Sequence, residues 1–295
     1  MEPPNPWEAL PHLTPIVPDG FVPGIINSPP TFRHTKRLAP CQGITLVQHN
    51  SLGSWDVFLS LLNSFVGLPP VDIVMLQDPP SRKGFEPKFA SFKSFHPPTP
   101  KPAVAFYVSL SFLSFYKLLP VASSSSADVF HLDIYTPTGC FGTGSPRFRL
   151  TNVYSRSLPG STKSVDPPDA LPDVDFPCLA AWDFNIQNHT VDPQRVISRS
   201  EEKASTPYFD RATDLAYSLL NTPGVYTRFT LSGTFRPSAI DLGCANPLIR
   251  PAFMSWDATT LLSTGSNHVP ILIHLAAPSD ERAPPPTHVG QSRLG

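Results

Sequence analysis

The sequence has no long apolar segment, and none of its apolar runs reaches the ~18 residues that a membrane-spanning helix requires. It also lacks the basic, apolar and small-residue order of a secretory signal peptide. We therefore expect no membrane partner and an intracellular location. Neither sign of charge is in excess, because the net charge is −1 for 295 residues. A global basic field for nucleic acid or membranes is excluded, and any DNA binding must come from a local patch.

Cysteine is scarce and widely spaced. The four cysteines are Cys41, Cys140, Cys178 and Cys244. No two of them have the spacing of a zinc site or of a redox pair, so we expect separate reduced thiols.

Proline is the residue in excess, and its distribution divides the chain. Of 38 prolines, 10 fall in the first 40 residues and 4 in the last 20. This pattern predicts a flexible proline-rich tail over 1–40, one domain over 41–275 and a low-complexity tail over 276–295.

Apolar patterns within 41–275 predict strands interspersed with two helices. A helix is expected over 54–67, with Ser54 as N-cap, and another over 206–221. The glycine-rich stretch 139–144 is interpreted as a turn, because no helix pattern follows it. Strands are predicted over 43–50, 70–78, 103–109, 128–135, 147–154, 176–185, 224–232, 238–245 and 268–275.

Polar residues recur where these strands end. They are Asn50, Asp78, Tyr154, Asp183 with Asn185, Asp241, and His268. A single polar residue at a strand end is usually a cap or turn former. Several in the same structural position favour a common ligand-binding edge, since ligands bind at the ends of packed strands.

The ordered motifs resemble a known family. Asn50, "LQD" (76–78), "NVY" (152–154), "DFN" (183–185), "SAID" (238–241) and "SNH" (266–268) are similar to motifs of the endonuclease/exonuclease/phosphatase superfamily. The segment "RPSAIDLGCANPLI" most resembles the endonuclease domain of fungal non-LTR retrotransposons. The resemblance covers about residues 41–275. It implies an α/β (α+β) fold, a four-layer αββα sandwich of two packed mixed sheets with helices outside.

The resemblance also implies an activity and assigns roles. The activity is Mg²⁺-dependent phosphodiester hydrolysis that nicks DNA, with Mn²⁺ as an alternative ion. Asp183 would position and activate water, His268 would contact the scissile phosphate, and Asp241 would orient His268. Asn185, Asn50 and Tyr154 would hold the phosphate and its surroundings, while Asp78 and Asn267 would bind the metal.

Four positions depart from the family pattern. Asp78 stands for a glutamate, Trp182 for a glycine, Asn267 for an aspartate and Ser157 for an asparagine. Asp78 shortens the ligand arm by about 1.5 Å, and Asn267 brings no charge. Trp182 places an indole where the backbone is expected to need a small residue. The changes at the metal positions indicate a weakened nuclease.

Three hypotheses remain open. The chain is a metal-dependent DNA endonuclease with degenerate activity, a catalytically inactive retrotransposon-derived relic with at most weak DNA binding, or a phosphatase of small phosphoesters. The first implies DNA as partner and a nuclear location. It also suggests a reverse transcriptase encoded elsewhere, because no "[YF]xDD" motif is present.

Overall fold

One mixed sheet places the earliest strand at its centre. In the computed structural model its strands are β1 (Ile44–Asn50), β2 (Ile73–Gln77), β3 (Phe92–Phe95), β4 (Val104–Ser109), β11 (Phe253–Ala258) and β12 (Ile271–Leu275). Their order is β11-β12-β1-β2-β4-β3. β1 runs parallel to β2 and antiparallel to β12. Every residue of β1 is buried, because both faces of this sheet are covered.

The second mixed sheet is built in the same way. Its strands are β5 (Lys117–Ala122), β6 (Val129–Cys140), β7 (Ser145–Tyr154), β8 (Cys178–Asp183), β9 (Ser218–Leu219) and β10 (Asp241–Ala245), in the order β5-β6-β7-β8-β10-β9. β7 and β8 are parallel, and β10 is antiparallel to β8. The stretch 141–144 is the turn between β6 and β7, so the turn predicted over 139–144 is confirmed except for its first two residues, which end β6.

Helices complete the fold. They are α1 (Trp55–Ser64), α2 (Leu110–Leu113), α3 (Pro167–Ala170) and α4 (Arg199–Asp214), with a 3₁₀ turn over Arg250–Ala252. α1, α3 and α4 cover the outer faces, whereas α2 and the 3₁₀ turn pack against the central core. The central core joins the two sheets, as where Leu46 and Leu150 share one cluster. On the outer sides Phe58 of α1 packs with Val74, and Tyr208 of α4 packs with Trp182. The predicted four-layer α/β sandwich is confirmed.

The structure describes residues 43–65, 70–80, 91–122, 127–156, 164–229, 237–260, 262 and 264–277. All of them belong to a unit spanning Phe32–Gly295, and a second unit, Met1–Thr31, lies outside the described ranges. The predicted tail 1–40, residues 278–295 and Ser157 also lie outside them, so the domain boundaries stay a prediction. Within those ranges, no helix combines the length and the apolar character that a membrane span needs.

Two predicted elements are corrected. The helix predicted over 206–221 begins at Arg199, because Ser198 and Glu201 form a capping box, and it includes Pro207. It ends at Asp214, and Ala216 then adopts a φ of 54°. The strand predicted over 224–232 is wrong within its described part, where only Arg228 makes isolated bridges.

Candidate active site

The polar residues meet at one edge of the sandwich for a topological reason. β1, β2, β7 and β8 end there, which places Asn50, Asp78, Tyr154 and Asp183 at this edge. Asp241 is the first residue of β10, whereas the sequence prediction put it at a strand end. The antiparallel register pairs Asp241 directly with Asp183, so a strand beginning serves as well as a strand end.

Asn50 and Asp183 join the two sheets. The side-chain amide of Asn50 donates to Oδ2 of Asp183 over 2.6 Å, and both residues are buried. The backbone N–H of Asn185 donates to Oδ1 of the same carboxylate over 3.1 Å, and Asn185 has a φ of 48°. Asp183 is therefore held at both oxygens, with its direction fixed before any ligand arrives.

Asp241 orients His268. Nδ1 of His268 lies 3.1 and 3.0 Å from the two carboxylate oxygens of Asp241, and both residues are buried. This bond leaves Nε2 as the ring nitrogen free to face a ligand. The backbone N–H of His268 donates to Ser266 Oγ, which in turn donates to the carbonyl of Asn50.

Three ionisable groups lie together at this point. Nδ1 of His268 is 3.9 Å from Oδ2 of Asp183, and one ligand atom from each of Asp183, Asp241 and His268 lies within 4.8 Å of the others. Burial and the charge of Asp241 raise the pKa of Asp183 to about 6. Burial opposes the charged imidazolium, but the carboxylates of Asp241 and Asp183 prevail and raise the pKa of His268 to about 9. Near neutral pH the group is thus a carboxylate base beside an imidazolium.

Neither a protein-family model nor a curated protein matches the sequence. Among solved structures, the endonuclease domain of TRAS1, a telomere-specific non-LTR retrotransposon, superposes with a TM-score of 0.58 at 13% identity, covering 79% of this chain and 98% of its own. The AP endonuclease LMAP from Leishmania major gives 0.60 at 13% identity, covering 81% and 89%, and the catalytic domain of Xenopus laevis APE2 gives 0.57 at 14% identity, covering 82% and 95%.

The chain has the endonuclease/exonuclease/phosphatase fold. The fold predicted from the six motifs is thereby confirmed. At these identities the likeness shows the fold alone. The chemistry of the site depends on the side chains present.

Tyr154 and Asp78 line the next part of the edge. Tyr154 hydrogen-bonds the side chain of Asn50, and burial, with smaller contributions from Asp183 and Asp78, raises its pKa to about 12. Its hydroxyl is therefore a donor at neutral pH. Burial also raises the pKa of Asp78, against the positive charges of Arg156 and His268.

The loop after β1 fixes Asp78. The carbonyl of Asp78 accepts hydrogen bonds from the Gly53 N–H at 2.9 Å and from Ser51 Oγ at 2.6 Å. Gly53 has a φ of 64°, and a Cβ there would stand 3.9 Å from both carboxylate oxygens of Asp78. Glycine thus supplies the backbone conformation and leaves the carboxylate open.

The fold implies a divalent metal, and two side chains beside the cluster carry oxygen atoms of the kind that such a metal binds. Asp78 offers a half-buried carboxylate, and Oδ1 of Asn267 is buried without a hydrogen-bond partner among the described residues. Both are the hard oxygen ligands that Mg²⁺ takes, and Mg²⁺ commonly needs only one or two carboxylates beside waters and substrate phosphate. His268 offers only Nε2, because its Nδ1 is bound to Asp241, and Mg²⁺ takes oxygen ligands in preference to an imidazole nitrogen.

Trp182 does not obstruct the edge. Neighbouring residues of a strand point to opposite faces, so the indole lies on the far side of β8 from Asp183. It stacks on Phe184 with ring centroids 5.0 Å apart and meets Tyr208 edge-on at 5.8 Å. The expectation that this position needs a small residue is wrong, since the indole fills the core beneath α4.

Supporting polar contacts were missed from the sequence. Thr227 Oγ1 accepts the backbone N–H groups of Ile240 and Asp241, at 3.1 and 3.0 Å, and so fixes the start of β10. Gln48 donates to the carbonyl of Trp182 over 2.9 Å. Gln48 lies two residues before Asn50 on the same strand face, and that alternation was the one signal that could have indicated it.

Proposed function

We propose that the chain is a metal-dependent endonuclease that hydrolyses a phosphodiester bond of DNA. The observation that carries this proposal is the fixed carboxylate of Asp183 beside the imidazolium of His268, with Asp241 behind the ring. A phosphodiester is anionic and repels hydroxide, so its hydrolysis needs a positioned base together with positive groups for the phosphoryl oxygens. This edge of the fold carries both.

Asp183 acts as the general base in this mechanism. It takes a proton from water as the oxygen attacks phosphorus, and the proton then passes to solvent. Because Asn50 and the Asn185 N–H hold both carboxylate oxygens, the base loses little conformational freedom in the reaction. Water adds its oxygen to phosphorus, the bond to the leaving oxygen breaks, and that oxygen takes up a proton from solvent.

His268 donates a hydrogen bond from Nε2 to a phosphoryl oxygen, where negative charge grows. Asp241 keeps the ring protonated and directed. Beside the phosphate, Asn50 donates to the carboxylate of Asp183, and Tyr154 has a hydroxyl hydrogen to donate. A metal held by Asp78 and Asn267 would neutralise phosphoryl charge when bound. We further propose that Asn185 acts through its backbone, because its N–H donates to Asp183.

The degenerate metal ligands favour a second candidate. Asp78 and Asn267 together supply a single carboxylate. If that charge is too small to hold the cation, the chain is an inactive relic with at most weak DNA binding. DNA as partner, a nuclear location and a reverse transcriptase encoded elsewhere remain proposals based on the resemblance.

Incubation of the full chain with supercoiled plasmid separates the two candidates. We expect open-circular product with Mg²⁺, more with Mn²⁺, and none with a chelator. Binding without nicking under either ion would support the relic instead. Hydrolysis of a small phosphoester with no plasmid nicking would support the phosphatase hypothesis.

A further inference from the structure

A short segment around Arg228 connects the two sheets beside His268. Arg228 forms isolated antiparallel bridges with Ser238 on one side and with His268 on the other. Its N–H and carbonyl both bond Ser238, at 2.9 Å each, and the next N–H, of Phe229, donates to the carbonyl of Asn267 over 2.7 Å. Residues directly opposite in such a bridge project their side chains to the same face. The backbone thus sets the side chain of Arg228 beside that of His268.

The guanidinium of Arg228 is unpaired within the described ranges. Its Nε is buried and has no hydrogen-bond partner there, and the side chain as a whole is half-buried. Other arginines of the second sheet are paired: Arg147 and Arg149 both contact Asp133, and Arg156 contacts Asp128. Arginine has five donors, and a buried donor left without a partner is unfavourable.

The bridge to His268 places Arg228 beside the acidic residues that flank this ring. The described carboxylates nearest His268, Asp241 and Asp183, form no ion pair with Arg228. Among the described residues the guanidinium has no anionic partner, and it can bind an anion of a ligand at this edge.

We propose that Arg228 is a substrate-contact residue whose guanidinium binds a backbone phosphate of the DNA strand that the site cleaves. A guanidinium presents two parallel donors to phosphate oxygens and fits this ligand better than an ammonium. The inference rests on the proposed function, because it adds a contact to the same site.

Binding of a fluorescein-labelled DNA duplex to the full chain tests the assignment. Anisotropy is measured in chelator, so that the strand stays intact, at several salt concentrations between about 50 and about 200 mM. Each phosphate that a protein neutralises contributes about 0.9 to the slope of log K against log salt. We expect Arg228→Gln to weaken binding at low salt and to reduce the slope by about one contact. Arg228→Lys should keep the slope but bind severalfold more weakly than the parent.

Arg250→Gln is the matched control. Arg250 is exposed, stacks on Phe253 at 4.9 Å and follows β10 at the end opposite Asp241, so its loss should change neither affinity nor slope. A parental slope for Arg228→Gln would overturn the assignment. If Arg228→Gln does not fold, Arg228→Lys decides, and parental affinity for that variant would overturn it. A parent that neither binds nor nicks DNA would instead refute the proposed function itself.

Discussion

The amide of Asn50 donates to Oδ2 of Asp183 over 2.6 Å, and this one bond joins the two sheets at the centre of the site. Asn50 ends β1 of the first sheet and Asp183 ends β8 of the second. The geometry of the base therefore depends on how the whole sandwich packs.

Loss of that bond should move the pH dependence of nicking. The bond favours the carboxylate and so lowers the pKa of Asp183, which burial has raised to about 6. The base works only when ionised, so activity rises as pH rises through this pKa. In Asn50→Ala the pKa should rise further, and the acid limb of the pH–rate profile should shift to higher pH. Asn188→Ala, which removes an amide bonded to Ser205 and not to Asp183, should leave the limb in place. An unshifted limb in Asn50→Ala would contradict this role.

The charge of Asp241 should control the protonation of His268. Asp241 is the largest contribution that raises the pKa of His268 to about 9, and burial acts in the opposite direction. In Asp241→Asn the pKa should fall, so that the ring is neutral at pH 8. NMR titration of the imidazole measures the pKa of His268. In the same variant the nicking rate should fall by roughly 10²–10⁴-fold. Asp257→Asn, an exposed change on β11, is the control. An unchanged titration of His268 would show that the pair does not interact as the distances indicate.

Restoring the metal ligands should raise activity. Asp78→Glu returns the longer arm, and Asn267→Asp adds the missing charge, so the double variant should bind Mg²⁺ more tightly than the parent. Recovery of only ~1.4 kcal/mol of the barrier would be a tenfold gain in nicking rate. Mn²⁺ should give part of this gain to the parent. A double variant no more active than the parent, with either ion, would show that these positions do not limit the reaction.

Trp182→Gly tests the alternative that the indole, and not the metal ligands, limits the reaction. The indole packs against Phe184 and Tyr208 and does not lie at the site. The change should therefore cost about 3–5 kcal/mol of unfolding free energy and restore no activity. Restored nicking in Trp182→Gly alone would show that the indole on β8, and not the metal positions, limits the reaction.

His49 should make the protein sensitive to acid. It is buried, both ring nitrogens lack hydrogen-bond partners among the described residues, and burial, aided by the charge of His268, lowers its pKa to about 3. The unfolded chain, with a pKa near 6.5, takes up the proton first. Stability is therefore complete above pH 6.5 and is lost as pH falls towards 3.

Replacement of His49 by leucine should remove its contribution to the loss of stability in acid. Denaturant unfolding at pH 7.5 and pH 5 should show a pH-dependent decrease smaller by about 2 kcal/mol in His49→Leu than in the parent. His189→Leu, at an exposed position, should keep the parental decrease. Equal decreases in the parent and His49→Leu would mean that His49 is not the buried neutral group.

The family resemblance implied the layers and the polar strand ends predicted the edge, but neither predicted every contact that holds the site. Polar residues at the ends of apolar strands predicted that Asn50 and Asp183 share one edge, since ligands bind at the ends of packed strands. The helix predicted over 206–221 begins earlier, because the capping box of Ser198 and Glu201 precedes the apolar stripe on which the prediction rests. The contact of Thr227 with β10, and the position of Arg228 beside His268, arise from long-range pairing that no local pattern encodes.

Nicking of supercoiled plasmid by Asp183→Asn tests the central claim most directly. Asparagine keeps the size of the side chain but cannot accept a proton as a base, and the control Asp173→Asn makes the same charge change at an exposed position. With Mg²⁺ or Mn²⁺ we predict parental nicking in Asp173→Asn and a loss of roughly 10²-fold or more in Asp183→Asn. Equal nicking by the two variants would contradict the assignment of Asp183 as the base, and with it the active site described above.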